Sequence, residues 1–226
     1  MPHWLQLMLD SLGPLLWAAV KFTAPLTILS FALGLTVGLI AALVRLFAPA
    51  PFAAAIRFYV WIIRGTPLLV QLFLIFYGLP SAGIVIDAFP AALIGFTLNI
   101  GAYSSEIIRA AISSVPRGQW EASYSIGMSF QQTIRRTILP QAGRVAVPPL
   151  SNTFISLVKD TSLAAAITVP ELFQAAQRIV ATTYEPLILY IEAALIYLAL
   201  SSILSALQVR LEERLNRYGG FLEARS

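Results

Sequence analysis

Five stretches of the chain, residues 23–44, 57–79, 91–108, 145–169 and 187–207, are almost uniformly apolar. Each is long enough to cross roughly 30 Å of hydrocarbon as a helix. The pattern changes in residues 118–141, GQWEASYSIGMSFQQTIRRTILPQ. There, Gln119 to Ile126 and Phe130 to Leu139 each suit an amphipathic helix of two to three turns. In the second, Phe130, Ile134 and Ile138 share a face that excludes Arg135 and Arg136. Gly127 supplies the positive φ that closes the first piece, Ser129 caps the second and Pro140 ends it. Ahead of the first span, Leu5, Met8, Leu9, Leu12 and Leu16 recur at helical spacing around Gln6, Asp10 and Ser11. That spacing predicts a helix lying on the membrane surface, with an irregular tail as the alternative. The whole reads as an all-α membrane protein of one domain, residues 1–226, with five transmembrane helices and a polar helical hairpin.

Composition agrees with the pattern. Of 226 residues, 58% are hydrophobic and 12% charged, and mean hydropathy is +0.78, which places the chain in a bilayer. With no Cys and only His3, thiolate, zinc and triad chemistry have no material, and no metal site is expected. The pI near 9.6 raises nucleic acid as a partner, but the basic residues follow membrane orientation instead. Arg45 and Arg57 flank one connection; Arg109, Arg117, Arg135, Arg136 and Arg144 mark another; Arg210, Arg214, Arg217 and Arg225 mark the tail. All fall on one side, whereas the other side holds Lys21 and Arg178. By the positive-inside rule the N-terminus is outside, and the hairpin and C-terminus are cytoplasmic. Five helices are few for a complete transporter and no internal repeat doubles them, so a dimer is expected to enclose a path.

In the hairpin, Glu121, Ala122, Ser123, Gly127, Leu139 and Pro140 resemble the EAA motif of ABC importer permeases, the loop that docks into the ATP-binding subunit. Ser123 stands where the motif usually has a second Ala, and Thr137 where Ile is frequent. Three further stretches, RGTPLLVQLFLIFYGLP, GAYSSEIIRAAISSVPRGQWEA and FISLVKDTSLAAAITVPELFQAAQRI, are similar to the polar amino acid group of these permeases. That group includes histidine, glutamate, glutamine, cystine and opine types, and the overall likeness is greatest to the cystine type. The resemblance implies a type I ABC importer (MetI-like) fold in the bacterial inner membrane. It also implies a second permease subunit forming a homodimer or close heterodimer, a periplasmic binding protein that delivers substrate, and two copies of an ATPase. The chain has no G-x-x-x-x-G-K-[ST] loop, so ATP and Mg2+ belong to that ATPase and no cofactor is expected on this chain. The implied role is that of a non-catalytic subunit.

Polar residues inside the spans are candidates for the path. Arg64-Gly65-Thr66-Pro67 interrupts the second span, and Thr66 can cap a helix restarting at Pro67, leaving an N-terminus suited to a carboxylate. A kink that serves packing alone is the alternative. Gln71 lies one turn further on. Asn99, Tyr103 and Glu106 form one stripe of the third span, with Glu106 equally readable as an ion-pair partner of Arg109. In the fourth, Lys159-Asp160-Thr161 is expected to break the helix, with Asp160 capping the second half and facing a substrate ammonium; an interhelical salt bridge is the alternative. The segment from Pro170 to Pro186, with Glu171, Gln174, Gln177, Arg178 and Glu185, reads as a docking surface or a solvated helix. An ion-coupled secondary transporter, a basic amino acid or glutamine importer, a channel and a membrane enzyme are the competing functions.

Overall fold

A computed structural model describes residues 2–223, with side chains described for 2–214. Arg225 therefore lies outside the described residues and the side chain of Arg217 outside the described side chains.

The helices begin with α1 (His3–Ala18), which continues through a π segment, Ala19–Thr23, into α2 (Ala24–Phe47). The separate surface helix expected from the opening residues is thus corrected to one run of 45 residues, His3–Phe47. Its inner face is held by packing, because Leu15 and Ala19 cluster with Leu172, Ala176, Ala193 and Ile196. Those partners lie on α9 (Leu172–Thr183) and α10 (Pro186–Glu223). The Ser11 hydroxyl donates to Glu192 Oε2 of α10 at 2.5 Å.

The centre of the fold is the packing of α2 on α5 (Ala88–Ser113). Gly34 and Gly38 make it possible. A Cβ at Gly34 would lie 2.6 Å from Ile100 Cγ2, and one at Gly38 would lie 2.7 Å from Ser104 Cβ. Small residues four apart let backbones approach closely in lipid, where hydrophobic driving force between helices is absent.

The second span is α3 (Ala50–Gly65), a break at Thr66, then α4 (Leu68–Phe73), the π segment Leu74–Gly78 and the 3-10 turn Leu79–Ala82. The two halves are bent by 106°. After α5 come the hairpin helices α6 (Arg117–Ser125) and α7 (Phe130–Thr133), a third π segment, Ile134–Ile138, and α8 (Leu139–Asp160). Each of the three π segments precedes a proline by two residues: Pro25, Pro80 and Pro140. A proline has no N–H for the carbonyl four residues back, which here lies inside the π segment, and the extra residue gives the ring room. Consequently Pro140 does not end the second hairpin helix as expected; the chain stays helical from Phe130 to Asp160.

Among the described residues three runs, His3–Phe47, Ala88–Ser113 and Pro186–Arg214, are long and apolar enough to cross a membrane, and the bent pair Ala50–Gly65 with Leu68–Ala82 gives a fourth if it is one span. Helix α8 is not among them. Gln141, Arg144, Ser151 and Asn152 dilute its apolar character.

Candidate functional site

The hairpin is closed by its own backbone. Gly127 has φ +80, its N–H donates to Tyr124 O at 2.9 Å, and the Met128 N–H donates to Ser123 O at 3.1 Å. This is the paired Schellman arrangement that ends a helix on a left-handed residue. A capping box starts the next helix: the Gln132 N–H donates to Ser129 Oγ at 3.3 Å, and the Ser129 N–H donates to Gln132 Oε1 at 2.9 Å. Trp120 and Leu139 pack on the cluster of Ile112, Ile138 and Ala142 that roots the hairpin in the bundle. Ser123 is buried, its hydroxyl donating to Gln119 O at 2.8 Å and lying 3.0 Å from Thr137 Oγ1. Glu121, Ala122 and Pro140 are exposed, as are Tyr124, Ile126 and Phe130, so the hairpin tip offers an apolar surface beside a carboxylate.

A cleft of about 460 Å³ opens where the α3–α4 break faces α5 and α8. Thr66, Asn99, Tyr103 and Asp160, drawn from three parts of the sequence, all line it. Asn152, Thr153 and Ser156 complete the polar wall and were missed by the sequence reading. With Asp160 they form the spacing i, i+1, i+4 and i+8 on α8, a stripe whose helical period was the available signal.

The other expected path residues lie elsewhere. Gln71 does not line the cleft but clamps the break: its Nε2 donates to Ile63 O at 2.8 Å, to Thr66 Oγ1 at 2.9 Å and to Thr66 O at 3.1 Å. Thr66 is not the expected cap, since Pro67 holds the N-cap position of α4 with no side-chain cap bond, and the Thr66 hydroxyl donates back to Ile62 O at 2.9 Å. A local glutamine brace therefore replaces the cap in holding the bend. Asp160 caps nothing either. The helix tightens into the 3-10 segment Thr161–Ile167 and stops only at Thr168, φ 66, because the small residues Ala164, Ala165 and Ala166 tolerate the narrower turn. No hydrogen bond or ion pair holds the half-buried Asp160 carboxylate among the described residues, and the alternative of a salt bridge there is not formed. Lys159 is exposed away from the cleft, and Thr161 is buried, donating to Val158 O at 2.7 Å.

Glu106 is spent on structure. Its Oε1 pairs with Arg45, and Oε2 accepts from Arg109 Nη2 at 3.0 Å and Nε at 3.1 Å. Glu171, expected on a docking surface, is instead fully buried: it accepts from the Gln174 N–H at 2.7 Å as the cap of α9, and from Tyr197 Oη at 2.6 Å. Gln177 and Arg178 do remain exposed.

The chain thus presents a polar cleft at a broken helix and a hairpin of two capped helices. Residues 34–217 match the family described as binding-protein-dependent transport system inner membrane component. The chain belongs to this family. It is therefore a permease, the non-catalytic membrane component of an ABC transporter. Among individual relatives it is similar to the L-cystine transport system permease protein TcyB of Bacillus subtilis (strain 168), 55% identical over 92% of this chain and 90% of that one. It is 39% identical to the glutamine transport system permease protein GlnP of Escherichia coli (strain K12), over 89% of this chain and 93% of that one. In structure it matches a chain of an amino acid ABC transporter crystallised with histidines, with TM-score 0.88 and 35% identity over 95% of this chain and 99% of that one. A chain of the MetNI methionine ABC transporter in an inward-facing form matches with TM-score 0.74 at 22% identity, over 89% of this chain and 98% of that one, which establishes the shared MetI-like fold. Within the permease, the two departures from the EAA pattern, Ser123 and Thr137, prove to be neighbours that meet across the hairpin.

Proposed function

We propose that this permease imports an amino acid, L-cystine in the first instance, through the cleft between Thr66 and Asp160. The observation that carries the reading is the Asp160 carboxylate, without a hydrogen-bonded or ion-paired partner among the described residues, in a cleft whose other lining residues are uncharged. A half-buried carboxylate without a partner is costly to keep ionised, and a substrate ammonium would lower that cost when it binds. Thr66, Asn99, Tyr103, Asn152 and Ser156 supply hydroxyl and amide groups for the carboxylate end. Cystine as the substrate is supported by the 55% identity to the cystine permease and rests on no cleft feature specific to it.

In this reading two permease copies form a homodimer that encloses the path in the bacterial inner membrane, N-terminus outside and C-terminus in the cytoplasm. A periplasmic binding protein delivers the amino acid. Two ATPase copies, which hold ATP and Mg2+, dock on the hairpins through Glu121, Ala122 and the exposed Tyr124 and Ile126. Family membership disfavours the ion-coupled secondary transporter. The test is uptake of labelled L-cystine, L-glutamine and L-arginine into proteoliposomes holding permease, ATPase and binding protein. ATP-dependent cystine uptake without an ion gradient is expected. Preference for glutamine or arginine would reassign the substrate, and uptake that needs no ATPase would overturn the mechanism.

A further inference from the structure

A second polar cleft, of about 470 Å³, adjoins the first on the side nearer the hairpin. It is lined by Arg45, Arg57, Trp61, Arg64, Tyr103 and Glu106. Tyr103 belongs to both clefts and forms the partition between them. Along α5 the order is Asn99, Tyr103, Glu106, and from the break back along α3 it is Thr66, Arg64, Arg57, so both walls lead from the first cleft to the second toward the same end of the bundle.

The charges in this second cleft do not balance. Glu106 is the one carboxylate lining it, and both of its oxygens are already committed to Arg45 and Arg109. Arg57 and Arg64 are exposed to the cleft and have no carboxylate within ion-pairing distance among the described residues. The Arg64 guanidinium instead lies over the Tyr103 ring, 5.2 Å from its centroid. A cation stacked on an aromatic face keeps its in-plane N–H donors available. Arginine presents those donors as a fork that matches a carboxylate, and a charged residue set within a span, as Arg64 is, marks a candidate pathway.

We infer that Arg64 and Arg57 form a second, exit-side binding site that takes the carboxylate of the transported amino acid as it leaves the Thr66–Asp160 cleft. This rests on the proposed function above. Asp160 holds an ammonium group in the first cleft, and passage beneath Tyr103 transfers the hold to a carboxylate group of the same amino acid. The first cleft thus selects by an anion and the second by cations. Movement between them exchanges one charge-assisted contact for another.

The experiment uses the assembled complex of permease, ATPase and binding protein with labelled L-cystine as probe. Arg64→Gln, Arg64→Lys and the double variant Arg57→Gln/Arg64→Gln are compared with Asp160→Asn. Equilibrium binding is measured in detergent, and uptake is measured in vesicles of pure phosphatidylcholine and in vesicles that also contain phosphatidylglycerol. The double variant is expected to retain assembly and cystine binding while uptake falls by about tenfold or more, the loss of one charge-assisted contact. Arg64→Lys should recover part of the uptake, and the loss should be the same in both lipids. Unchanged uptake would overturn the inference, as would a loss seen only with phosphatidylglycerol, which would make the site one for lipid headgroups. Loss of the assembled permease pair in Arg64→Gln would assign the guanidinium to the subunit contact instead. The reading beneath is separable: if Asp160→Asn leaves cystine binding intact, the first cleft fails, whereas lowered binding in Asp160→Asn with full uptake in the arginine variants removes only the second site.

Discussion

The hairpin and the cleft are built in opposite ways. The bonds that close the hairpin turn join residues close in sequence, Met128 to Ser123 and Gln132 to Ser129, and those between its two helices, Ser123 to Thr137 and Gln141 to Gln119, stay within the hairpin. The cleft is assembled from Thr66, Asn99, Tyr103, Asn152 and Asp160, which only the packing of α3, α5 and α8 brings together. The hairpin is finished at its own ends and exposes its surface, while the cleft leaves a carboxylate unpaired inside. On the proposed function, the hairpin is a docking element that can be specified locally because its partner supplies the rest, and the cleft is a path that must be specified by tertiary structure because its chemistry depends on what faces what.

That contrast predicts that each region fails alone. Asp160→Asn preserves size and removes the charge, and loss of a charge-assisted hydrogen bond costs roughly 1.5 to 3 kcal/mol, about ten- to a hundredfold in affinity. Cystine binding to the purified complex should fall by that factor while ATPase capture by the permease is unchanged. A fall in assembly of the same size would make Asp160 a structural residue and erase the contrast.

Gly127→Val acts on the other region. There is open space around a Cβ at Gly127, so the cost is confined to its backbone, φ +80, and amounts to about 1 to 2 kcal/mol for a β-branched residue. ATPase co-purification should weaken, with membrane insertion and cystine binding retained. Normal co-purification would show that the turn does not set the docking geometry.

The smallest effect sharpens the local side of the comparison. Ser123→Ala leaves the Thr137 hydroxyl only its weak contact to Met128 Sδ at 3.9 Å, whereas Ser123→Ala/Thr137→Ile removes both partners and restores the apolar pair common in the motif. Removing one partner of a hydrogen bond costs more than removing both, so the double variant should melt closer to the parent, with a coupling of about 0.5 to 1.5 kcal/mol. Additive losses in a double-mutant cycle would mean that the contact carries no energy.

The same division governs what could be read from sequence. Gly127 and Ser129 announced the hairpin because a positive φ and an N-cap are properties of single residues and their near neighbours. Asn99 and Tyr103 were legible as a stripe, and the break at Thr66 was legible from Gly65 and Pro67. The brace that holds that break was not, since Gln71 reaches back to Ile63 only after the chain has bent. Pro140 misled because proline ends a regular helix, and nothing in its neighbours signalled the π segment that accommodates it. Asn152 and Ser156 went unread as polar residues in an already weakly apolar helix. Gly34 and Gly38 carried a small-xxx-small signal that the reading passed over.

The most direct test of the account is a crossed measurement on the same preparations: cystine affinity and ATPase capture, both normalised to assembled permease, for Asp160→Asn and Gly127→Val. The account predicts that Asp160→Asn loses affinity and keeps capture, while Gly127→Val loses capture and keeps affinity. If either variant lowers both quantities together, or if Asp160→Asn leaves affinity unchanged, the separation of path from coupling element is contradicted.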